Sequence, residues 1–267
     1  MERAVNSPIA PGRFRRVSQP PVQTEVAYDR SALSRVWAAL RANRLAMVCL
    51  VLMIIIIAAS ALAFLSPYDP DQYDLMNKLA LPSLAHPFGT DDLGRDYSTR
   101  ALYGGRVSLT VGFFSMLVSV ALGTVVGTVS GYVGGAVDML LMRFLDIVMS
   151  VPTFLLIIII NAYVKPGLPT MIFIIAIFSW MGVARLVRAE TMSLKERDFV
   201  LAAKNLGTSH FVIIFRHIIP NMSSSIIVAA SLSIARAILT ESSLSFLGFG
   251  VRLPNASWGS MLQNAQS

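Results

Sequence analysis

Residues 198–221 read DFVLAAKNLGTSHFVIIFRHIIPN, and the fold turns on how they are placed. An apolar run precedes them and another follows, yet the stretch itself carries Asp198, Lys204 and Arg216. Ala202 and Ala203 are compact, helix-favouring residues, so a helix built on them can lie close to another surface. Gly207 has no Cβ and can end that helix while turning the chain. Phe211, Ile214 and Phe215 then make a second apolar stripe that stops near Pro220. The pattern predicts a helix–turn–helix between two membrane crossings, shaped to meet a partner. An ordinary amphipathic loop at the membrane surface is the alternative for the same spacing.

Composition supplies the crossings. The 267 residues are 55% hydrophobic and only 14% charged, with a mean hydropathy of +0.64. Soluble domains are roughly 45–50% apolar and about 25% charged. The excess here lies in long runs, which marks a polytopic membrane protein. The formal net charge of +7 does not point to nucleic acid. The cations flank the apolar runs, as the positive-inside rule requires, and form no basic patch interleaved with aromatics.

Residues 1–44 hold Arg3, Arg13, Arg15, Arg16, Arg30, Arg35, Arg41 and Arg44 against Glu2, Glu25 and Asp29. The composition of 1–40 predicts a partly disordered cytoplasmic segment. From Ser31, Leu33, Val36, Trp37 and Leu40 share one helical face, which predicts a short amphipathic helix in the membrane interface. Apolar runs predict spans at 45–65, 107–130, 139–160, 170–187 and 219–240, near the ~20 residues a crossing needs. The fold class is therefore all-α, a polytopic membrane protein with five visible spans. The polar loop 66–106 contains Asp69, Asp71, Asp74, Asp91, Asp92 and Asp96, and its acidic balance places it outside, opposite the basic leader. Five crossings from an inside N-terminus return the basic stretch at about 190–220 to the cytoplasm and leave 241–267 outside. The chain divides into the leader, a first transmembrane helix plus external loop over 41–106, and a transmembrane core over 107–267. Ala61-Leu62-Ala63 has the spacing of a signal-peptidase site, but the long polar leader and long apolar core argue against cleavage.

Gly123, Gly127, Gly131 and Gly135 recur every four residues. Gly123 and Gly127 predict a bare helix face for close packing, which matters in lipid because no hydrophobic force drives helix association there. Gly134 and Gly135 read as the turn beyond. In the third span Asp146 follows Arg143 by three residues, so the two can pair, and Pro152 predicts a kink. The fifth span is unusually polar, with Ser223, Ser224, Ser225, Ser231 and Ser233. Ser224, Ser231, Arg236 and Glu241 are candidate pathway residues, because an ionisable group in a span is costly and suggests function. Glu241 is the candidate partner of Arg236. In the competing reading the serines bond helix to helix and Arg236 snorkels.

No GxxxxGK[ST], HExxH or GxSxG occurs, so no phosphate loop, zinc-protease helix or nucleophile elbow is encoded. No catalytic or metal residue is assigned. His86, His210 and His217 lack ligand spacing, and the single cysteine, Cys49, should pack as a small hydrophobe within its apolar run. Energy coupling would have to come from another protein's ATPase.

Three more segments carry a family likeness. They are HPFGTDDLGRDYSTR at 86–100 with LYGGRVSLTVG after it, GYVGGAVDMLLMRFLDIVMSVP at 131–152, and ESSLSFLGFGVRLPNASWG at 241–259. With Pro67-Tyr68-Asp69-Pro70 and the "EAA"-loop spacing of Ala202-Ala203, Gly207 and Pro220, the chain resembles permease subunits of dipeptide/oligopeptide/nickel ABC importers. The likeness is to the dipeptide-permease C-type, with an extra N-terminal region, and covers about residues 40–267. It implies a type I ABC-importer permease fold in a bacterial or archaeal inner membrane and ATP-driven import of di- or oligopeptides. It also implies a second homologous permease, two ATP-binding subunits or domains that hold ATP and Mg, and an extracytoplasmic binding protein. No cofactor belongs to this chain. Asp198, Leu201, Ala202, Ala203, Gly207 and Pro220 would form a cytoplasmic coupling segment on an ATPase. The chain departs from the family loop pattern at Leu201, His217 and Ile219, where the family has Glu, Ile and Leu and peptide-type members vary. It also stops at Ser267, before the family's sixth span; the chain is then either truncated or works with five spans, and the packing surface a lost helix would expose favours truncation.

Within the same class, nickel or another small solute stays open as cargo. An ion-gradient transporter would need mid-membrane ionisable groups and inverted repeats, and only Arg236 comes close. A membrane enzyme would need a clustered nucleophile, base or metal site, which the sequence lacks.

Overall fold

The computed structural model describes residues 37–38, 40–164, 167–251 and 256–266. Among them are helices, turns and one isolated bridge between Thr90 and Asp96, with no strand. The leader and most of the amphipathic helix expected from Ser31 lie outside the described residues. Within them, residues 40–42 are helical and the Arg41 guanidinium sits 4.9 Å over the Trp37 ring.

Helix α1 (Arg44–Ala61) starts where the Asn43 side chain accepts from the Ala46 N–H at 3.2 Å. It is apolar on every side, and only Ser60 is buried, as suits a helix solvated by lipid. Cys49, expected to pack inside, is exposed for the same reason. After a 3₁₀ turn at Leu62–Leu65, the chain runs through an irregular loop to α2 (Tyr97–Val133). At 37 residues, α2 is about 55 Å long. It begins well inside the stretch that the sequence reads as external loop 66–106. The cause is Asp96, whose carboxylate accepts from the Thr99 N–H at 2.7 Å and caps the helix ahead of the apolar run.

The helix runs on through Gly131, and Gly134 and Gly135, at φ +70 and +56, turn the chain into α3 (Gly135–Met149). The single span expected at 139–160 is two helices, α3 and α4 (Thr153–Tyr163), that meet at 73°. Pro152 sits at the start of α4 with no N–H to donate, so the hydrogen-bond ladder breaks rather than bends. Next come α5 (Leu168–Lys195), α6 (Asp198–Asn205), an irregular helical stretch from His210 to Asn221, α7 (Ser223–Phe246) and α8 (Trp258–Asn264). Among the described residues, α1, α2, α5 and α7 are long and apolar enough to cross a membrane. The bent pair α3–α4 makes a fifth crossing if it is one broken span.

The largest helix interface is α2 on α5, followed by α7 on α2. Missing side chains allow it. A Cβ on Gly123 would lie 2.6 Å from the Val183 Cβ, one on Gly127 2.5 Å from the Ala184 carbonyl, and one on Gly131 2.7 Å from the Arg188 carbonyl. Elsewhere on α2, Gly112 faces Ile238 of α7, at 2.6 Å by the same measure. Val111, Met171, Ile174 and Leu244 fill the space between α2, α5 and α7. A second cluster, including Val183, Val187, Val200, Ala203, Ile213 and Ile218, joins α5 to the 198–221 stretch.

Ion pairs tie α3 to α5. Arg188 holds both carboxylate oxygens of Asp138, and Arg185 pairs with Asp146. The second replaces the Arg143–Asp146 pair expected from sequence. The neighbouring helix α5 supplies the cation instead, from Arg185.

Candidate functional site

In α6, Val200 and Ala203 pack against the α5 cluster, while Asp198, Leu201 and Ala202 face outward. Of the paired alanines, only Ala202 is available to another protein. Successive helix residues differ by ~100°, so two adjacent positions cannot both face the same partner squarely. The helix closes with Leu206 N–H to the Ala202 carbonyl at 3.0 Å, Gly207 N–H to the Lys204 carbonyl at 3.0 Å and Thr208 N–H to the Ala203 carbonyl at 3.1 Å. Gly207 sits at φ +74, the left-handed conformation this closure requires. A Cβ there would meet nothing within 4 Å, so the constraint on Gly207 is backbone handedness rather than space.

The chain resumes at His210–Val212 and widens into a π-helical turn over Ile213–Ile218. Pro220 follows at once. It has no N–H for a carbonyl one turn earlier, an identifiable cause for such a wide turn. The Asn221 side chain donates to the His217 carbonyl at 2.6 Å. Ile213 and Ile218 are buried, whereas Phe211 and Phe215 stand 69% and 54% exposed with rings 4.4 Å apart. Ile214, read with them as one stripe, instead packs part-buried beside the inner cluster. Leu206, at the turn, is 84% exposed. The Tyr132 hydroxyl and His210 Nδ1, 2.7 Å apart, pin this stretch to the end of α2.

A cleft of about 580 Å³ lies between α3–α4, α5 and α7. Phe154, Phe178 and Leu232 are among its apolar walls, Ser179 and Ser233 add hydroxyls, and Arg236 brings the charge. Arg236 is the only one of the four sequence-derived pathway candidates in this lining among the described residues. Ser224 is exposed at the start of α7, and Ser231 donates back to the Ile227 carbonyl at 2.9 Å. Glu241 is fully buried and accepts from Ser108 at 2.8 Å and Ser245 at 2.7 Å. No ion pair joins it to Arg236 among the described residues. Five positions apart, the two fall on different sides of the helix, which corrects the expected pairing.

At the far end of α2, a charged knot forms from residues the sequence analysis assigned no role. Arg95 and Arg100 are 2% and 1% exposed. Arg95 Nε donates to Asp91 at 2.7 Å. Arg100 Nη1 donates to the Pro70 carbonyl at 2.8 Å and to Asp71 at 3.3 Å. Burial pushes the Asp96 carboxyl upward, but hydrogen bonds from Ser98, Thr99 and His86 outweigh it and hold it below the usual carboxylate range. The C-terminal stretch closes over the knot. Trp258 Nε1 donates to the Ala101 carbonyl at 3.0 Å, and the Tyr97 hydroxyl to the Met261 carbonyl at 3.1 Å. The signal was present in TDDLGRD, where Asp91 and Arg95 stand at pairing distance on either side of Gly94.

Residues 123–267, more than half of the chain, match the family described as binding-protein-dependent transport system inner membrane component. The chain belongs to that family. Residues 31–87 of this permease also match the N-terminal TM domain of oligopeptide transport permease C. It is 39% identical to the dipeptide transport system permease protein DppC of Bacillus subtilis (strain 168) over 226 residues, 84% of this chain and 71% of that protein. To the oligopeptide transport system permease protein OppC of the same strain it is 40% identical over 222 residues, 83% and 73% of the two chains. To the glutathione transport system permease protein GsiD of Escherichia coli O6:K15:H31 (strain 536 / UPEC) it is 40% identical over 233 residues, covering 86% and 77%. Of the segments that carried the family likeness, the continuation of 86–100 through Gly104, Gly105 and Ser108 meets 241–259 at Ser257 and Trp258. The third, 131–152, makes the turn from α2 through α3.

Proposed function

We propose that this permease forms, with a second homologous permease, the path by which di- and oligopeptides enter the cell from an extracytoplasmic binding protein. Two ATP-binding subunits drive it and hold the ATP and Mg, while this chain does no covalent chemistry. The observation that carries the reading is the form of 198–221. It is a short helix, a left-handed glycine turn and a π-widened stretch set between two membrane-length helices, with Leu206, Phe211 and Phe215 exposed and unsupported.

Apolar side chains on that scale invite a protein partner. The outer faces of α6 and of residues 210–215 would seat in a groove on an ATP-binding subunit. Their inner faces, Val200, Ala203, Ile213 and Ile218, are packed to α5, and His210 is bonded to α2. Displacement of the docked segment would therefore move α5 and α2 together, and α5 forms one wall of the cleft. The cations Arg185, Arg188, Lys195, Arg197, Lys204 and Arg216 gather toward this end, so the positive-inside rule supports a cytoplasmic position for it and for the N-terminus. The relatives named above transport dipeptides, oligopeptides and glutathione by their names, which favours peptide over nickel.

Gly207→Glu tests the coupling role. The variant should insert and assemble in proteoliposomes, hydrolyse ATP, and lose at least about tenfold in peptide uptake. Uptake at the parental rate would overturn the coupling assignment.

A further inference from the structure

The cleft between α3–α4, α5 and α7 holds a cation without a counter-charge. Arg236 lies near the middle of α7, and it is the charged side chain in the lining among the described residues. A guanidinium at such a depth is disfavoured unless something answers it. The carboxylates on α3, α5 and α7 are all engaged elsewhere. Asp138 is held by Arg188, Asp146 by Arg185, Glu190 accepts from Ser225 at 2.9 Å, and Glu241 is buried among serines on another side of α7. Helices α2 and α4 contain no acidic residue.

We infer that this cleft is a cargo site in which Arg236 receives the free carboxylate of a peptide. A guanidinium presents paired donors that match the two carboxylate oxygens, so it selects that group over a neutral amide end. Ser233 on α7 adds a hydroxyl suited to the peptide's backbone polar groups, and Ser179 on α5, which donates to the Ile175 carbonyl at 2.7 Å, adds an acceptor oxygen. Phe154, Phe178 and Leu232 accept its apolar side chains. The volume of about 580 Å³ falls within the range of small-ligand sites and is adequate for a short peptide. The assignment of the anion to cargo rests on the peptide-import reading above.

The test uses the assembled transporter in bilayers, with Cys49→Ser removing the native thiol and Ser233→Cys placing one in the cleft. An anionic methanethiosulfonate should label Cys at 233 about tenfold faster than a cationic one, and Arg236→Gln should abolish that preference. A dipeptide with a free carboxylate should slow labelling, and its C-terminal amide should not. No preference, or equal protection by both peptides, overturns the inference. Bilayers of phosphatidylcholine with and without phosphatidylglycerol separate the sources of the anion. Suppression of labelling only in the anionic bilayer would mean that lipid occupies the site, and would also overturn it.

The second arm compares uptake of the free acid and the amide from the same preloaded binding protein, so that the binding protein's own preference cancels. Arg236→Gln should slow the free acid about tenfold and leave the amide within about twofold, with Arg236→Lys intermediate. Equal losses for both peptides would mean a structural Arg236 and overturn the site. If the parental transporter imports no peptide, the import reading fails, and the labelling arm still decides whether the cleft attracts anions.

Discussion

The two ends of α2 solve the same problem in opposite ways. At the Tyr97 end, buried arginines meet carboxylates and carbonyls, a tryptophan closes over the helix, and glycines let chain segments touch. At the Tyr132 end, the 198–221 stretch buries one face and leaves Leu206, Phe211 and Phe215 outside. The first end meets nearly all of its needs within the chain, with Arg100 Nη2 the buried nitrogen left without a partner. The second leaves apolar side chains uncovered, the face proposed above to dock an ATP-binding subunit. Sequence changes at the first end should therefore act on folding, and changes at the second on what the protein does with partners.

Two glycines with nearly the same backbone angle give the sharpest way to break that contrast. Gly94 has φ +77 and Gly207 φ +74. A Cβ on Gly94 would overlap the Asp74 carbonyl, whereas one on Gly207 meets nothing within 4 Å. Gly94→Ala should cost about 3 kcal/mol or more and lower the yield of folded protein. Gly127→Leu, between the ends, should cost about 2–3 kcal/mol by prising α2 from α5, read from thermal unfolding in detergent. Gly207→Ala should cost only about 1 kcal/mol, the strain of a left-handed alanine. Equal losses at 94 and 207 would erase the distinction.

Acid offers a finer probe. The folded-state pKa of Asp96 lies below its unfolded value of about 4. Its contribution is thus fully present above that value and is lost as pH falls through the folded pKa. Thermal stability should stay level from about pH 7 to 5 as far as Asp96 is concerned and fall below about 4, with part of that acid limb missing in Asp96→Asn. The smallest effect on stability belongs to Phe211→Ala, within about 0.5 kcal/mol because the ring is already exposed. The same variant should retain several-fold less ATP-binding subunit on co-purification, and unchanged retention would remove Phe211 from the docking surface.

Much of the fold was legible because lipid imposes simple rules. An apolar run of sufficient length must become a helix, so the crossings stood out from composition alone. Glycines at four-residue spacing defined a bare face of α2, but not that the Val183–Arg188 stretch of α5 would run along it. Pro152 announced a disturbance without its size. The knot was hardest to see, since Arg100 is bonded to Pro70 and Asp71 across a loop whose path no local pattern specifies. Arg236 was conspicuous as a charge in a span, yet its nearest acidic neighbour in sequence turned out to face elsewhere.

By itself the sequence determined an all-α membrane chain, the position of its charged interruption at 198–221, and a family likeness strong enough to name an importer permease. Those features are local or periodic, and hydrophobic length, helix propensity and glycine spacing act over a few turns. Only the tertiary structure decided which of Ala202 and Ala203 remains open, which aspartate each arginine holds, and that Arg236 lines a cleft without a carboxylate beside it among the described residues. These depend on which helices lie side by side, and ion pairing and burial follow distance in space rather than distance along the chain.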